Sequence, residues 1–164
     1  TMALAYGAAV MLAGGVQAAD WPSKPITMLI GYKAGGGTDT KGRVLAKILS
    51  RELGQKVNVI NRPGGGQAVA LGGFKSANPN GDMFVFGAVS GITLNPQINS
   101  ALKFNAQDFV YAGALTEFQM SMVAPTDRPY TDLKGLIACG KSKGGIKYAS
   151  LSPDAKILMQ AIAK

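Results

Sequence analysis

Ile26-Thr-Met-Leu-Ile30, the loop Gly31-Tyr-Lys-Ala-Gly-Gly-Gly-Thr-Asp39 and the segment from Thr40 to Gly54 decide the fold. The first piece is a short apolar run, the pattern of a strand buried on both faces. Thr38 or Asp39 is placed to cap a helix after the glycines. In that helix Val44, Leu45, Ile48, Leu49 and Leu53 share one face, and Gly54 supplies the stop. Strand, glycine loop and helix in that order make the first half of a parallel β-α-β unit.

The pattern continues outward. Val57 to Ile60 read as a second strand, followed by the glycine loop Asn61-Arg-Pro-Gly-Gly-Gly66 and a short helix to Ser76. Asn78-Pro-Asn-Gly-Asp82 is a turn, Met83 to Ala88 a third strand, Val89 to Asn95 a loop, and Phe109 to Leu115 a further strand. Met120 to Ala124 read as a strand leaving this unit. Thr131 is expected to cap a helix containing Leu133, Leu136 and Ile137, with a strand over Ile146 to Ser150 and a helix from Pro153 to Lys164. Strands alternating with helices predict an α/β fold with a largely parallel sheet.

The chain has 164 residues, 47% hydrophobic and 16% charged, which argues against disorder. It contains no His, which excludes a Ser-His-Asp or Cys-His centre and any His-ligated metal, and no cofactor is expected. Its single Cys, Cys139, excludes an intrachain disulfide and a Cys-ligated zinc, and reads as a small, partly buried helical residue. Seventeen Lys and Arg against nine Asp and Glu give a net charge of +8, spread along the chain without an Arg-rich block. That spread fits a general attraction for anions, and no nucleic-acid signature accompanies it.

Thr1 to Ala19 carry no charge, and Val16-Gln17-Ala18-Ala19 place small residues where signal peptidase cuts. Residues 1–19 are expected to be an export signal clipped at its N-terminus, with the mature protein in a periplasm.

The Gly31 loop sits where α/β sheets bind ligands, beyond the carboxyl end of a strand and before a helix. Helix N-terminal N–H groups attract anions there, and glycine lets a ligand approach the backbone. The loop nearly matches a phosphate-binding P-loop, but Gly37 stands where the lysine should precede Thr38, and neither glycine run fits G-x-G-x-x-G. Nucleotide binding is therefore disfavoured. Ser90, Ser150 and Ser152 are possible donors to a carboxylate, and no G-x-S-x-G motif makes any of them a nucleophile. Two other functions fit the composition: a basic secreted module that binds polyanions, or an enzyme using Asp39 as acid or base without His.

Several motifs in order resemble the substrate-binding receptors of tripartite tricarboxylate transporters, the Bug or TctC-type proteins. These are Asp20-Trp-Pro-Ser-Lys-Pro-Ile26, Ala34-Gly-Gly-Gly-Thr-Asp39, Asn61-Arg-Pro-Gly-Gly-Gly66, Asn78-Pro-Asn-Gly-Asp82, Gly87 to Pro96 and Lys147-Tyr-Ala-Ser150. The resemblance implies a periplasmic-binding-protein-like α/β fold of two lobes, without enzymatic activity. Such a receptor is expected to capture a small di- or tricarboxylate, or a related organic acid, and hand it to the membrane components of a transporter. A monomer is expected. Residues 20–123 would form the first lobe without its C-terminal return, and residues 124–164 the start of the second, the sequence reading as a fragment. First-lobe contacts implied by the resemblance are Tyr32, Ala34, Gly35, Thr38, Asp39 and Ser90; Ser150 and Ser152 would come from the second lobe.

The chain departs from the family pattern in three places. Gly31-Tyr32 replaces the usual Pro-Phe, Lys33 a small residue, and Leu151-Ser-Pro-Asp154 a more glycine-rich loop with no negative charge. Lys33 is a lone cation in a loop of backbone donors, and is expected to favour ligands with more than one carboxylate.

Overall fold

The computed structural model describes residues 21–117, 119–150 and 152–162. The expected export signal, residues 1–19, lies outside them.

The strands are β1 (Ile26–Ile30), β2 (Val57–Asn61) and β3 (Met83–Phe86). They form a parallel sheet in the order β2-β1-β3, with Ile26 opposite Val57 and Thr27 opposite Met83. The most deeply buried of the three segments takes the centre, where both edges are hydrogen-bonded and both faces covered. Its side chains alternate. Ile26, Met28 and Ile30 pack with Val57 and with Ala46 of α1 (Gly37–Glu52), against Leu45, Leu49, Leu53 and Phe86. Leu29 faces the other way and is buried, as are Ala70 and Leu71 of α2 (Ala68–Lys75), which packs on β1 and β3. One helix on each face of a parallel sheet is the arrangement that the alternating sequence pattern predicts.

The first helix corrects the sequence reading in detail. Gly36 holds the N-cap position and no side chain caps the helix, so neither Thr38 nor Asp39 is the cap. Leu45, Leu49 and Leu53 face the core as expected, whereas Val44 and Ile48 lie largely exposed. The buried stripe instead runs through Gly42 and Ala46. A Cβ at Gly42 would press on Phe86 Cδ1 at 3.0 Å and still more closely on Ile30, so the helix crosses the sheet on its smallest residues. Apolar periodicity alone does not register this, because glycine carries no hydrophobic signal. Gly54, at φ +65°, follows the C-cap as predicted.

Residues 89–95, expected as a loop, form two short helices, α3 (Val89–Thr93) and α4 (Asn95–Ile98). Pro96 opens the second, where its fixed φ suits a first helical turn. A 3-10 turn at Ala106–Asp108 follows, closed by reciprocal bonds between Asn105 and Asp108. Phe109 then stacks on Phe74 and meets Phe104 edge-on.

Three expected strands are not formed: Phe109 to Leu115, Met120 to Ala124 and Ile146 to Ser150 have no regular structure. Val110, Leu115, Met122 and Val123 lie exposed, and no described strand runs alongside to complete a ladder. Apolar composition makes a strand only where backbone partners exist. The helices α5 (Leu133–Ser142) and α6 (Pro153–Ile162) are present as expected. Asp132 rather than Thr131 caps α5, accepting from Gly135 N at 2.7 Å. Cys139 lies partly buried in that helix.

Met28→Ala is expected to cost about 2–5 kcal/mol in a urea titration, and Val44→Ala to stay within about 0.5 kcal/mol. Equal losses would mean that α1 is docked on the face read from the sequence.

Candidate functional site

The site is built at the carboxyl ends of the three strands. β1 ends in Gly31-Tyr32 and β2 in Asn61, while β3 runs into the turn before α3. The loop between β1 and α1 is fixed by one buried side chain. Asp39 is 3% exposed in the first turn of α1. Its Oδ2 accepts from Gly35 N and from Arg43 Nε, each at 2.9 Å, and its Oδ1 accepts from Asn61 Nδ2 at 2.9 Å. Asn61 Nδ2 also donates to Tyr32 O at 3.0 Å, and Arg43 Nη2 donates to Asn61 Oδ1 at 3.0 Å. One carboxylate thus ties the loop to its own helix and to the next strand. Hydrogen bonds from Arg43, Gly35 N–H and Asn61 outweigh desolvation and hold its carboxyl well below the usual carboxylate range.

The second glycine loop presents a different side chain. Gly64, Gly65 and Gly66 all have positive φ, and Gln67 continues the turn at φ 76°. Gln67 is 1% exposed. Its Nε2 donates to Ala88 O at 2.7 Å, which fixes the orientation of the amide. It lies so close to Gly87 and Gly91 that neither position has room for a Cβ, and a Cβ at Gly31 would stand 2.6 Å from Gln67 Cβ. These three glycines exist for that close approach rather than for flexibility. Gln67 Oε1 is buried without a partner.

The amino end of α6 closes on this surface. Pro153 is buried, and a Cβ at Gly66 would lie 3.2 Å from Pro153 Cγ. α6 packs against α3, whose Ser90 is 8% exposed. Asn95 Nδ2 braces the glycine loop beneath, donating to Gly65 O at 2.5 Å and Gly66 O at 3.1 Å. Burial works to raise the Asp154 carboxyl, but bonds from Ser152, the N–H groups of Asp154 and Ala155, and Ser90 prevail and lower it. Burial first, and the Asp154 charge second, push the Tyr32 phenol up, with the Gln67 bond acting against them. Asp154 Oδ1 is buried without a hydrogen-bond partner.

The structure therefore brings Ser90 of α3 against α6, leaves Tyr32 half-buried at the start of the first loop, and distributes the other sequence candidates around them. Lys33, Ala34 and Gly35 lie exposed on the loop, and Thr38 is half-buried in the first turn of α1. The Gly35 N–H is already spent on Asp39, and both Asp39 oxygens are satisfied within the protein. Ser150 is exposed, its Oγ donating to Ser152 O at 2.9 Å. Sequence reasoning did not place Asn61, Gln67, Asn95 or Asp154 in the site. Asn61 and Gln67 flank the second glycine run, and that position is the signal that points to them. Among the described residues no group of three or more Cys, Asp and Glu is placed to hold a metal ion.

Comparison with known proteins shows the family to which the chain belongs. The sequence profile described as "Tripartite tricarboxylate transporter family receptor" matches residues 42–162. The chain is 33% identical over 148 residues to the UPF0065 protein in the gbd 5' region of Cupriavidus necator, covering 89% of this chain and 44% of that protein. It is 29% identical over 157 residues to Protein BugT of Bordetella pertussis, covering 91% of this chain and 47% of that one. A solved TctC solute binding protein from Polaromonas, without ligand, superposes with a TM-score of 0.51 at 25% identity, covering 74% of this chain and 42% of that chain. The chain belongs to the TctC receptor family, that is, to the Bug-type solute-binding proteins. It spans under half the length of these relatives. Among the described residues no helix is long and apolar enough to cross a membrane.

Asp39→Asn is expected to destabilise the fold by roughly 1.5–3 kcal/mol at neutral pH, as for hydrogen bonds to a charged group. A carboxyl lowered in the folded state contributes fully above its unfolded value, near 4. That contribution is lost as the pH falls through the lower folded value. Urea titrations should therefore show the gap between variant and wild type narrowing below about pH 4. A gap unchanged in acid would contradict the assignment.

Proposed function

We propose that the chain is the ligand-capturing part of a periplasmic receptor that takes a small organic acid and delivers it to a tripartite tricarboxylate-type transporter. The observation that carries this reading is the seam itself: α3, which carries the nearly buried Ser90, packs against α6, and Pro153 at the amino end of α6 lies on Gly66 of the second glycine loop. An α/β carboxyl edge bearing hydroxyl donors, with a helix N-terminus opposite, has the chemistry to hold a carboxylate. Residues 20–123 act as one lobe and 124–164 as the beginning of the other, with the ligand between them. Tyr32, Ser90 and Ser152 supply direct polar contacts. Ala34 and Thr38 border the ligand through the loop backbone and the first turn of α1, with Lys33 at the rim. Gly35 and Asp39 act on the ligand indirectly, by fixing that loop. Ser150 serves by holding Ser152. Residues 1–19 direct export.

The basic surface alone would favour a polyanion binder, whose affinity collapses with salt. A receptor instead binds a small acid saturably, and a hundredfold excess over Kd adds about 2.7 kcal/mol of stability. Calorimetry and thermal unfolding of the full-length gene product across a panel of mono-, di- and tricarboxylates test this. Ser90→Ala is expected to weaken the acid that binds by about 0.5–1.5 kcal/mol. Failure of every acid to bind, with tight salt-sensitive binding of a polyanion, would overturn the proposal. So would turnover of a bound acid.

A further inference from the structure

The seam contains more unpaired acceptors than a site for a simple diacid should. Gln67 Oε1 and Asp154 Oδ1 are both buried there without a hydrogen-bond partner. They come from opposite sides, the glycine loop before α2 and the first turn of α6, which meet where Pro153 packs over Gly66. A carboxylate has lone pairs for about four donors, and an unpaired oxygen in a buried place is costly. Among the described residues no cation forms an ion pair with Asp154.

Two consequences follow. Like charges repel strongly where water is excluded, so a second ligand carboxylate brought to Asp154 is disfavoured. A ligand group that donates hydrogen bonds instead satisfies an oxygen that the protein leaves unmatched. Lys33, the nearby cation that suggested a polycarboxylate, is exposed on the loop. Asp154 is half-buried with its Oδ1 shielded from solvent, whereas Lys33 is solvated, and exposed charges are screened.

We infer that Asp154 is a specificity-determining residue: the seam takes a monocarboxylate whose far end carries a hydrogen-bond donor such as an ammonium group, and rejects one ending in a second carboxylate. This rests on the receptor reading above. The plainer role for Asp154 is to stabilise the amino end of α6 as an acidic residue in its first turn. That role predicts no preference between ligands.

The test uses matched pairs in which one carboxylate is replaced by an ammonium: succinate with β-alanine, and adipate with δ-aminovalerate. Calorimetry on the full-length gene product is expected to show the ammonium member of at least one pair binding tenfold or more tighter than its diacid. Asp154→Asn should abolish that ratio, mainly by strengthening the diacid. Circular dichroism and the wild-type ratio keep the test open if Asp154→Asn folds poorly, and Asp154→Ser serves as a second variant. The proposal is overturned if the wild type binds the diacids as tightly as their partners. It is also overturned if folded Asp154→Asn keeps the wild-type ratio. If neither member of either pair binds while other carboxylates do, the donor requirement fails and the receptor stands. If no carboxylate binds at all, the receptor reading fails too.

Discussion

The buried Asp39 carboxylate is the interaction on which the site depends. Taking an ionised carboxylate out of water is costly unless its oxygens are fully engaged. Here Arg43, the Gly35 N–H and Asn61 engage both of them. Each donor belongs to a different piece of backbone: the helix, the loop and the second strand. Satisfying the charge therefore fixes the relation of the three. The run Gly35 to Gly37, which has no side chains of its own to anchor it, inherits its shape from a residue that follows it.

From that constraint the rest of the edge follows. Asn61, held by Asp39 and Arg43, reaches on to the Tyr32 carbonyl. This sets the start of the loop at the point where Tyr32 turns toward Gln67. Gln67 can stand there only because Gly31, Gly87 and Gly91 leave space for it. Ser90 is carried by the same short helix as Gly91, so the hydroxyl that meets α6 is positioned by the packing that buries Gln67. Interactions along the edge are thus linked in series, from a carboxylate that binds nothing outside the protein to the serine and tyrosine that face the seam.

The sequence made the sheet and its helices legible because the strands are short apolar runs bounded by glycine loops. It was less informative wherever small residues carry the contact. Gly42 and Ala46 form the docking stripe of α1, yet the apolar pattern pointed to Val44 and Ile48. Hydrophobicity marks what is apolar, whereas close packing also selects what is small. Phe109 to Leu115 and Ile146 to Ser150 have strand-like composition, but their backbone finds no ladder. Among the residues near the seam, Ser90 and Ser152 stand out in the sequence as loop hydroxyls, whereas Tyr32 is implied only by the family resemblance. Asp39 was identified but not its task, since a spacing of four to Arg43 does not reveal that Asn61 closes the network. Gln67 escaped because it matters through burial, a property of the folded chain that no local pattern records, and Asp154 stood out only as a charge that departs from the family loop.

We propose that Gly31 to Gly36 and the amino end of α6 are two walls of one ligand seam. Hydrogen–deuterium exchange on the full-length gene product, with and without a saturating bound acid, tests it most directly. The account predicts that slowed exchange appears together at residues 31–36 and 152–156. Protection at one wall without the other, or confined to segments outside the seam, would contradict it.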